Sequence, residues 1–227
     1  MECGVPPKEG DHLTYLKWER QINVEAETSF HATSFRLETS AAVQHQSQWR
    51  LDLDPRRHRV VLHWLRVKRG TATIDHLRRD RMRLIQRETQ LDHLVIDGQW
   101  TLLVVLDDVR VGDVIEAAYS FIGGNPIRPG GCEAFFMVPP SLVVGSYRLR
   151  IEFDREPATF NWMASPDAPT RLEETLAGNR TRWTWQGQQI IPREAEPNQP
   201  STYQDYIWVQ VSDLSDWQPL ATQCCPT

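Results

Sequence analysis

The stretch VRVGDVIEAAYSFIGGNPIRPG, residues 109–130, decides the fold. An apolar run rich in β-branched and aromatic residues, Val114–Ile122, begins just after Gly112-Asp113 and closes on Gly123-Gly124-Asn125-Pro126. Two readings compete: an acidic site cradled by glycines, or a strand between its turns. A phosphate cradle needs backbone N–H groups pointing from a helix start, and Gly112 leads into a β-type run instead. Gly123, Gly124, Gly130 and Gly131 lack the GxxxxGK spacing. Asp107, Asp108, Asp113 and Glu116 lack the alternating acids, sixth-position glycine and twelfth-position glutamate of a calcium loop. The segment reads as a strand whose glycines serve turns and close approaches. Asp113 is placed to accept backbone N–H groups of its own turn.

Working outward, the alternation continues. HATSFRLET (31–39), AVQHQSQWRLDLD (42–54) and HRVVLHWLRVKRG (58–70) alternate apolar and polar residues, as strands do. In the third, Val60, Leu62, Trp64 and Arg66 share one face by simple alternation, and Val61, His63, Leu65 and Val67 the other. Asp54-Pro55 marks a turn between the second and third. Residues 72–94 fit either a basic amphipathic helix or a strand near 81–87 followed by an irregular or helical piece, and the surrounding strands favour the second. Their arginines alternate with Asp75, Asp80 and Glu88, which describes a solvated face. Asp97-Gly98 reads as the turn of a hairpin between His93–Ile96 and Trp100–Leu106. Further strands fall at 132–140, 146–154, 159–164, 171–176, 180–188 and 203–213. Ser215-Asp216 could cap a short helix. Many short strands at roughly 8–12-residue spacing predict an all-β fold, an antiparallel β-sandwich with at most short helical pieces.

Composition bounds the function. The 227 residues, 40% hydrophobic and 24% charged, can build one large core. A net charge of −5 gives no general attraction to nucleic acid. No apolar run approaches the roughly 20 residues of a membrane span. The polar, proline-broken start MECGVPPKEGDHLTYLKWER is not a signal peptide. With Cys3, Cys132, Cys224 and Cys225 lacking CxxC spacing, this favours reduced thiols and a cytoplasmic location over zinc or redox chemistry. The seven histidines form neither HExxH nor HxH, so no metal or cofactor is expected, and His63 reads as a satisfied core or interface histidine. Cys132 is the cysteine best placed for a Cys–His pair, but no helix follows it to lower its pKa. The nine tryptophans are scattered, which suits core packing between sheets. Were Trp162, Trp183 and Trp185 an exposed coplanar strip, a carbohydrate- or peptide-binding module would be the reading.

Several phrases in order carry a resemblance. LIQRETQLDHLVIDGQWTLLVVLDDVRVGDVIEAAYSFIGGNP (84–126), with YLKWERQINVEAETSFHATSFRLET, LDPRRHRVVLHWLRV and VQVSDLSDWQPLA, resembles the uncharacterised all-β domain found directly before transglutaminase-like domains in bacterial proteins. Within it, Arg87-Glu88, Asp97-Gly98, Leu106–Glu116, Tyr119 and Gly124–Pro126 match the family's landmarks. The resemblance covers most of residues 12–220. Residues 1–11, rich in proline, glycine and charge, read as a loose N-terminus, and the resemblance implies a β-sandwich at 12–211 and a hinge at 212–227, with a Cys-His-Asp catalytic domain beyond. The adjacent Cys224 and Cys225 depart from what such a hinge would carry. Secreted or periplasmic placement is common for such proteins. The chain itself is then expected to be a non-catalytic accessory domain whose partner is a transglutaminase-like domain or a protein substrate. Because binding residues concentrate on loops held by rigid scaffolds, Asn125, Pro126 and Arg128 of the 123–131 loop and Asp216 and Trp217 of the hinge are the candidate interaction surface.

Overall fold

The computed structural model describes residues 12–86, 98–126, 128–138, 142–190 and 206–214. The expectations for residues 1–11, His93–Ile96, Asp216 and Trp217 and the Ser215-Asp216 cap lie outside them. Among the described residues there are fourteen strands: β1 Leu13–Asn23, β2 Thr28–Leu37, β3 Gln48–Leu53, β4 Arg59–Arg69, β5 Ala72–Asp75, β6 Met82–Gln86, β7 Trp100–Val105, β8 Val114–Ile122, β9 Glu133–Val138, β10 Val143–Phe153, β11 Asn161–Ala164, β12 Leu172–Thr175, β13 Thr181–Ile190 and β14 Ile207–Ser212. The fold is all-β, as alternation predicts.

One layer is an eight-stranded sheet in the order β12-β13-β10-β1-β2-β8-β4-β5. The facing layer is two three-stranded sheets, β3-β7-β6 and β11-β14-β9. Aromatic contacts join the layers. Trp49 of β3 meets Tyr119 of β8 edge-on at 5.9 Å. Phe136 of β9 meets Trp18 of β1 and Tyr147 of β10 at 6.0 and 5.9 Å. A single apolar core runs between them, with Leu37, Leu65, Ile115, Leu149, Trp183 and Trp185 among its buried members.

Three expectations change. Residues 42–54 are not one strand: Ser40–Gln46 form a short helix, α1, and β3 starts at Gln48. The Thr39 hydroxyl accepts the Ala42 N–H, and this cap together with buried Ala42 outweighs an alternation of small and polar residues. The sheet is not wholly antiparallel either. β1 runs parallel to β10, a pairing more than a hundred residues apart in the chain. Finally, the pairing of β4 with β8 shifts between Leu62 and Trp64, leaving His63 as an extra residue in a β-bulge. The bulge reverses the alternation, so Val60, Leu62, Leu65 and Val67 all reach the core while Trp64 packs outside against Phe30. His63 is therefore not a core histidine. It is exposed and bonded to Ser120 Oγ at 2.8 Å.

About half of the described tryptophans belong to the core. Trp49, Trp183 and Trp185 are buried, and the half-buried Trp18 packs against the core through Tyr15 and Phe136. Trp162 alone of the 162/183/185 trio is exposed. Arg171 lies over the rings of Trp162 and Trp183, at 5.0 and 4.1 Å. No coplanar strip exists. The strand β6 stands where the second reading of 72–94 put it, and it pairs with β7.

Candidate functional site

The two ends of β8 are built differently. Before it, Asp108 and Gly112 take positive φ, and Gly112 N–H donates to Leu37 O at 2.7 Å. The buried Asp113 carboxylate accepts the Arg110 N–H at 2.8 Å, as its own turn suggested. Arg69, from β4, reaches the same carboxylate twice, at 2.8 and 2.7 Å, and adds Asp108 at 2.9 Å. Bonding to Arg69 holds the Asp113 pKa below the ordinary carboxylate range, against the opposing effect of burial. The neighbouring acids are also engaged: Asp107 with Arg81, and Glu116 with Lys68. Among the described residues no group of acids, histidines and cysteines could hold a metal ion.

After β8 the chain is tied to distant segments. Gly123 N–H donates to Glu27 O at 2.9 Å, and Gly130 N–H donates to Glu27 Oε1 at 2.6 Å. A side chain at Gly123 would strike Arg57 O at 2.3 Å, and one at Gly124 would strike the Glu27 carboxylate at 2.4 Å. These glycines permit close packing of the loop against the β1–β2 turn and the start of β4; they do not cradle a ligand. Asp213, just past β14, is the second anchor. Its buried carboxylate accepts from Arg128, from Arg155 Nη1 at 2.8 Å and from the Cys132 N–H at 2.9 Å. Its own N–H returns to Cys132 O at 3.1 Å. Arg155 also donates to Gly130 O and approaches Glu25 at 3.4 Å. Loop, β1–β2 turn and the end of β14 thus form one charged, hydrogen-bonded knot.

Beside the knot opens a cavity of about 730 Å³. Its apolar lining includes Ile22, Val24, Phe121 and Leu214. Its polar lining includes Arg20, Ser29, His31, Arg57 and His58. Arg20 reaches this core side of β1 because the pairing with β2 slips between Tyr15 and Lys17, which moves Trp18, Arg20 and Ile22 onto one face. It donates Nη1 to Phe135 O at 3.0 Å and Nε to Ser29 Oγ at 3.3 Å. His31 Nε2 lies 2.8 Å from Ser29 Oγ, and its ring stacks on Tyr119 at 5.1 Å. Burial first, then the nearby Arg20 guanidinium, pushes the His31 pKa well below its usual value, so the ring is neutral. His58 is lowered in the same way by burial and Arg57.

Cys132 also lines this cavity, but it is buried, and burial with Asp213 pushes its thiol up to about 12. At neutral pH it is a thiol, not the thiolate a nucleophile requires. The candidate residues Asn125 and Pro126 stand exposed on the loop; Arg128 turns inward to Asp213. Sequence reasoning missed Glu27, Arg20, His31, Arg155 and Asp213. They come from strands and turns far apart in the chain, and the one local signal is Arg20, a charge on the strand face that Trp18 and Ile22 make apolar.

Compared with known proteins, residues 25–194 match a family described as a domain of unknown function with a solved structure (DUF3857). A solved structure from Parabacteroides distasonis ATCC 8503, named "putative protease", superposes with a TM-score of 0.73 at 14% identity, over 90% of this chain and 41% of that one. Legionella pneumophila aminopeptidase A in complex with aspartic acid gives a TM-score of 0.46 at 13% identity, over 92% of this chain and 22% of that one. The chain therefore spans about two fifths of the first structure and about a fifth of the second. At these identities the likeness is one of fold. No curated protein matches the chain in sequence.

Proposed function

The chain belongs to the DUF3857 family, and from that premise we propose that it is a non-catalytic interaction domain of a transglutaminase- or cysteine-protease-like protein, positioning the catalytic domain or its substrate. The observation that carries this reading is the knot at Asp213. It ties residues 128–132 to the end of β14, so that these residues, the cavity and Asp213–Leu214 lie side by side. The protonated, buried Cys132 favours binding over catalysis. The longer, similarly folded "putative protease" is consistent with a domain that works beside others.

The purified chain, tested alone on peptide hydrolysis and on amine transfer to glutamine peptides, is expected to show no turnover above a Cys132→Ala variant. Calorimetry with a transglutaminase-like domain from the same organism is expected to show binding or a change in that domain's rate. Turnover by the chain alone, or neither binding nor a rate change with that domain, would overturn the reading. The second reading is a carbohydrate- or peptide-binding module. Burial of Trp183 and Trp185 counts against this reading, which calls for Trp162, Trp183 and Trp185 as an exposed strip, and the cavity is where a peptide would sit.

A further inference from the structure

We infer that the cavity beside the Asp213 knot, between β1, β2 and the end of β8, is a binding site for an uncharged aromatic ring. Size comes first. About 730 Å³ falls within the roughly 300–1,000 Å³ of small-ligand sites, and apolar walls such as Ile22, Val24, Phe121 and Leu214 with a few polar groups among them are their usual composition.

The charges decide against an ion. Arg20, Arg57 and Arg128 line the cavity, and so do Glu27 and Glu133. An anion entering would meet two carboxylates, and a cation would meet three guanidinium groups. These groups are also engaged already. Arg128 pairs with Asp213, Arg57 lies 3.8 Å from Asp54, and Arg20 donates to Ser29 Oγ and Phe135 O. Glu27 accepts the Gly130 N–H. An ion would give up its hydration for partners that are taken.

The rings decide for an aromatic body. Phe121 is half-buried in the wall. His58 stands 5.3 Å from it, tilted by 59°, and His31 stands 5.7 Å from it at 87°. Aromatic rings prefer such tilted and edge-to-face contacts, at roughly 4.5–7 Å between centroids. Three rings in one wall offer edges and faces to a fourth. The guanidinium groups add to this while staying paired. A guanidinium spends its N–H groups in its own plane and keeps a flat face that stacks on an aromatic ring. The chain uses this contact elsewhere: Arg171 lies 4.1 Å over Trp183 while its Nη2 donates to Glu173 at 2.9 Å. A neutral ring gains from both kinds of contact and gives up little hydration.

The inference rests on the interaction-domain reading only for its purpose, since an aromatic side chain held here is a way to present a peptide. Ring binding to the isolated chain can fail while docking to a catalytic domain survives, and the reverse.

The test uses the full chain with the N-acetyl amides of phenylalanine, tyrosine, leucine, glutamate and lysine, and with para-cresol as a free ring. Affinity is read by calorimetry and position by the ring resonances of His31 and His58. The two aromatic amides are expected to saturate the chain, to shift both histidines and to bind at least about fivefold more tightly than the leucine amide. The glutamate and lysine amides are expected to bind more weakly still. Tighter binding of the tyrosine amide than of para-cresol assigns the ring to a polypeptide, and the reverse assigns it to a small molecule. Phe121→Leu keeps an apolar side chain at this half-buried place. It is expected to weaken the phenylalanine amide about fivefold and to leave the leucine amide unchanged. Arg57→Gln, at an exposed position, is expected to weaken the phenylalanine amide about threefold through the lost stacking face. Arg148→Gln, on the opposite face of the sheet beside Glu19, leaves it unchanged. A chain that binds none of the probes, holds the leucine, glutamate or lysine amide as tightly as the phenylalanine amide, or keeps its phenylalanine-amide affinity in Arg57→Gln or in a folded Phe121→Leu would overturn the proposal.

Discussion

The turn before β8 and the loop after it look alike in sequence, each a glycine beside polar residues, yet they differ in how they are held. The leading turn draws on Arg110, three residues from Asp113, and on one arginine of β4, the strand paired directly with β8. It is held within its own sheet, by β2 through Leu37 and by β4 through Arg69, and is not among the residues that line the cavity beside the knot. The trailing loop is held by Glu27, Asp213 and Arg155, which belong to three separate parts of the chain. It borders the cavity. A turn held only by neighbouring strands of its own sheet can serve as scaffold alone. A loop that needs distant anchors fixes several segments relative to one another, and that is what an interaction surface requires.

Gly123→Ala should break the trailing side most. The new methyl group would meet the Arg57 carbonyl oxygen at 2.3 Å in a backbone conformation of φ +123°. Strain and overpacking together predict a loss of about 3–5 kcal/mol, read by urea unfolding. An unchanged midpoint would mean that the loop is free to move away from β4. Asp213→Ala comes next. It leaves Arg128, Arg155 and the Cys132 N–H without their shared carboxylate. Because both guanidinium groups keep some access to water, about 2–4 kcal/mol is expected, at the low end of a broken buried pair. Hydrogen exchange should rise in residues 128–132 and stay low at Val114–Ala118. A uniform rise would erase the distinction between the two ends.

The strands were legible because of alternation: β10 buries Tyr147, Leu149, Ile151 and Phe153 at every second place, and β8 buries Ile115, Ala117 and Tyr119 in the same rhythm with Ala118 and Ser120 buried between and beyond them. What escaped has physical causes. The seven-residue helix α1 is too short to display a period, and its one local sign was Thr39 ahead of Ala42. The bulge at His63 and the slip after Tyr15 change which face a residue occupies, and no residue type announces them. The parallel β1–β10 pair joins segments whose sequences say nothing of each other. The same holds for the candidate site. Asn125, Pro126 and Arg128 were visible as a loop between strands, whereas Arg20, Glu27, His31 and Asp213 converge only through pairings of distant strands.

On the leading side, Asp113→Asn should cost about 1–3 kcal/mol, since Asn can still accept the Arg110 N–H but no longer offers Arg69 a charged pair. Its pH dependence has a definite sign. The folded Asp113 pKa is lowered, so its contribution is complete above the unfolded carboxylate value near 3.9 and is lost as pH falls from there through the folded pKa. The variant should therefore show a shallower loss of stability on acidification than the parent chain. Equal slopes would mean that the carboxylate titrates alike in folded and unfolded chains.

Gly112→Ala is the smallest change and the sharpest control on Gly123→Ala. Both glycines have positive φ, +88° at Gly112, but nothing lies within 4 Å of where a Gly112 side chain would stand. Only the backbone conformation is penalised, and the Gly112 N–H to Leu37 O bond survives. A loss of about 1 kcal/mol is expected. If it matched the loss at Gly123, conformational strain alone would explain both ends of β8, and the tight seat of the trailing loop against β4 would contribute nothing. If it stayed several-fold smaller, the difference would measure the contact between that loop and Arg57, the residue that also borders the cavity.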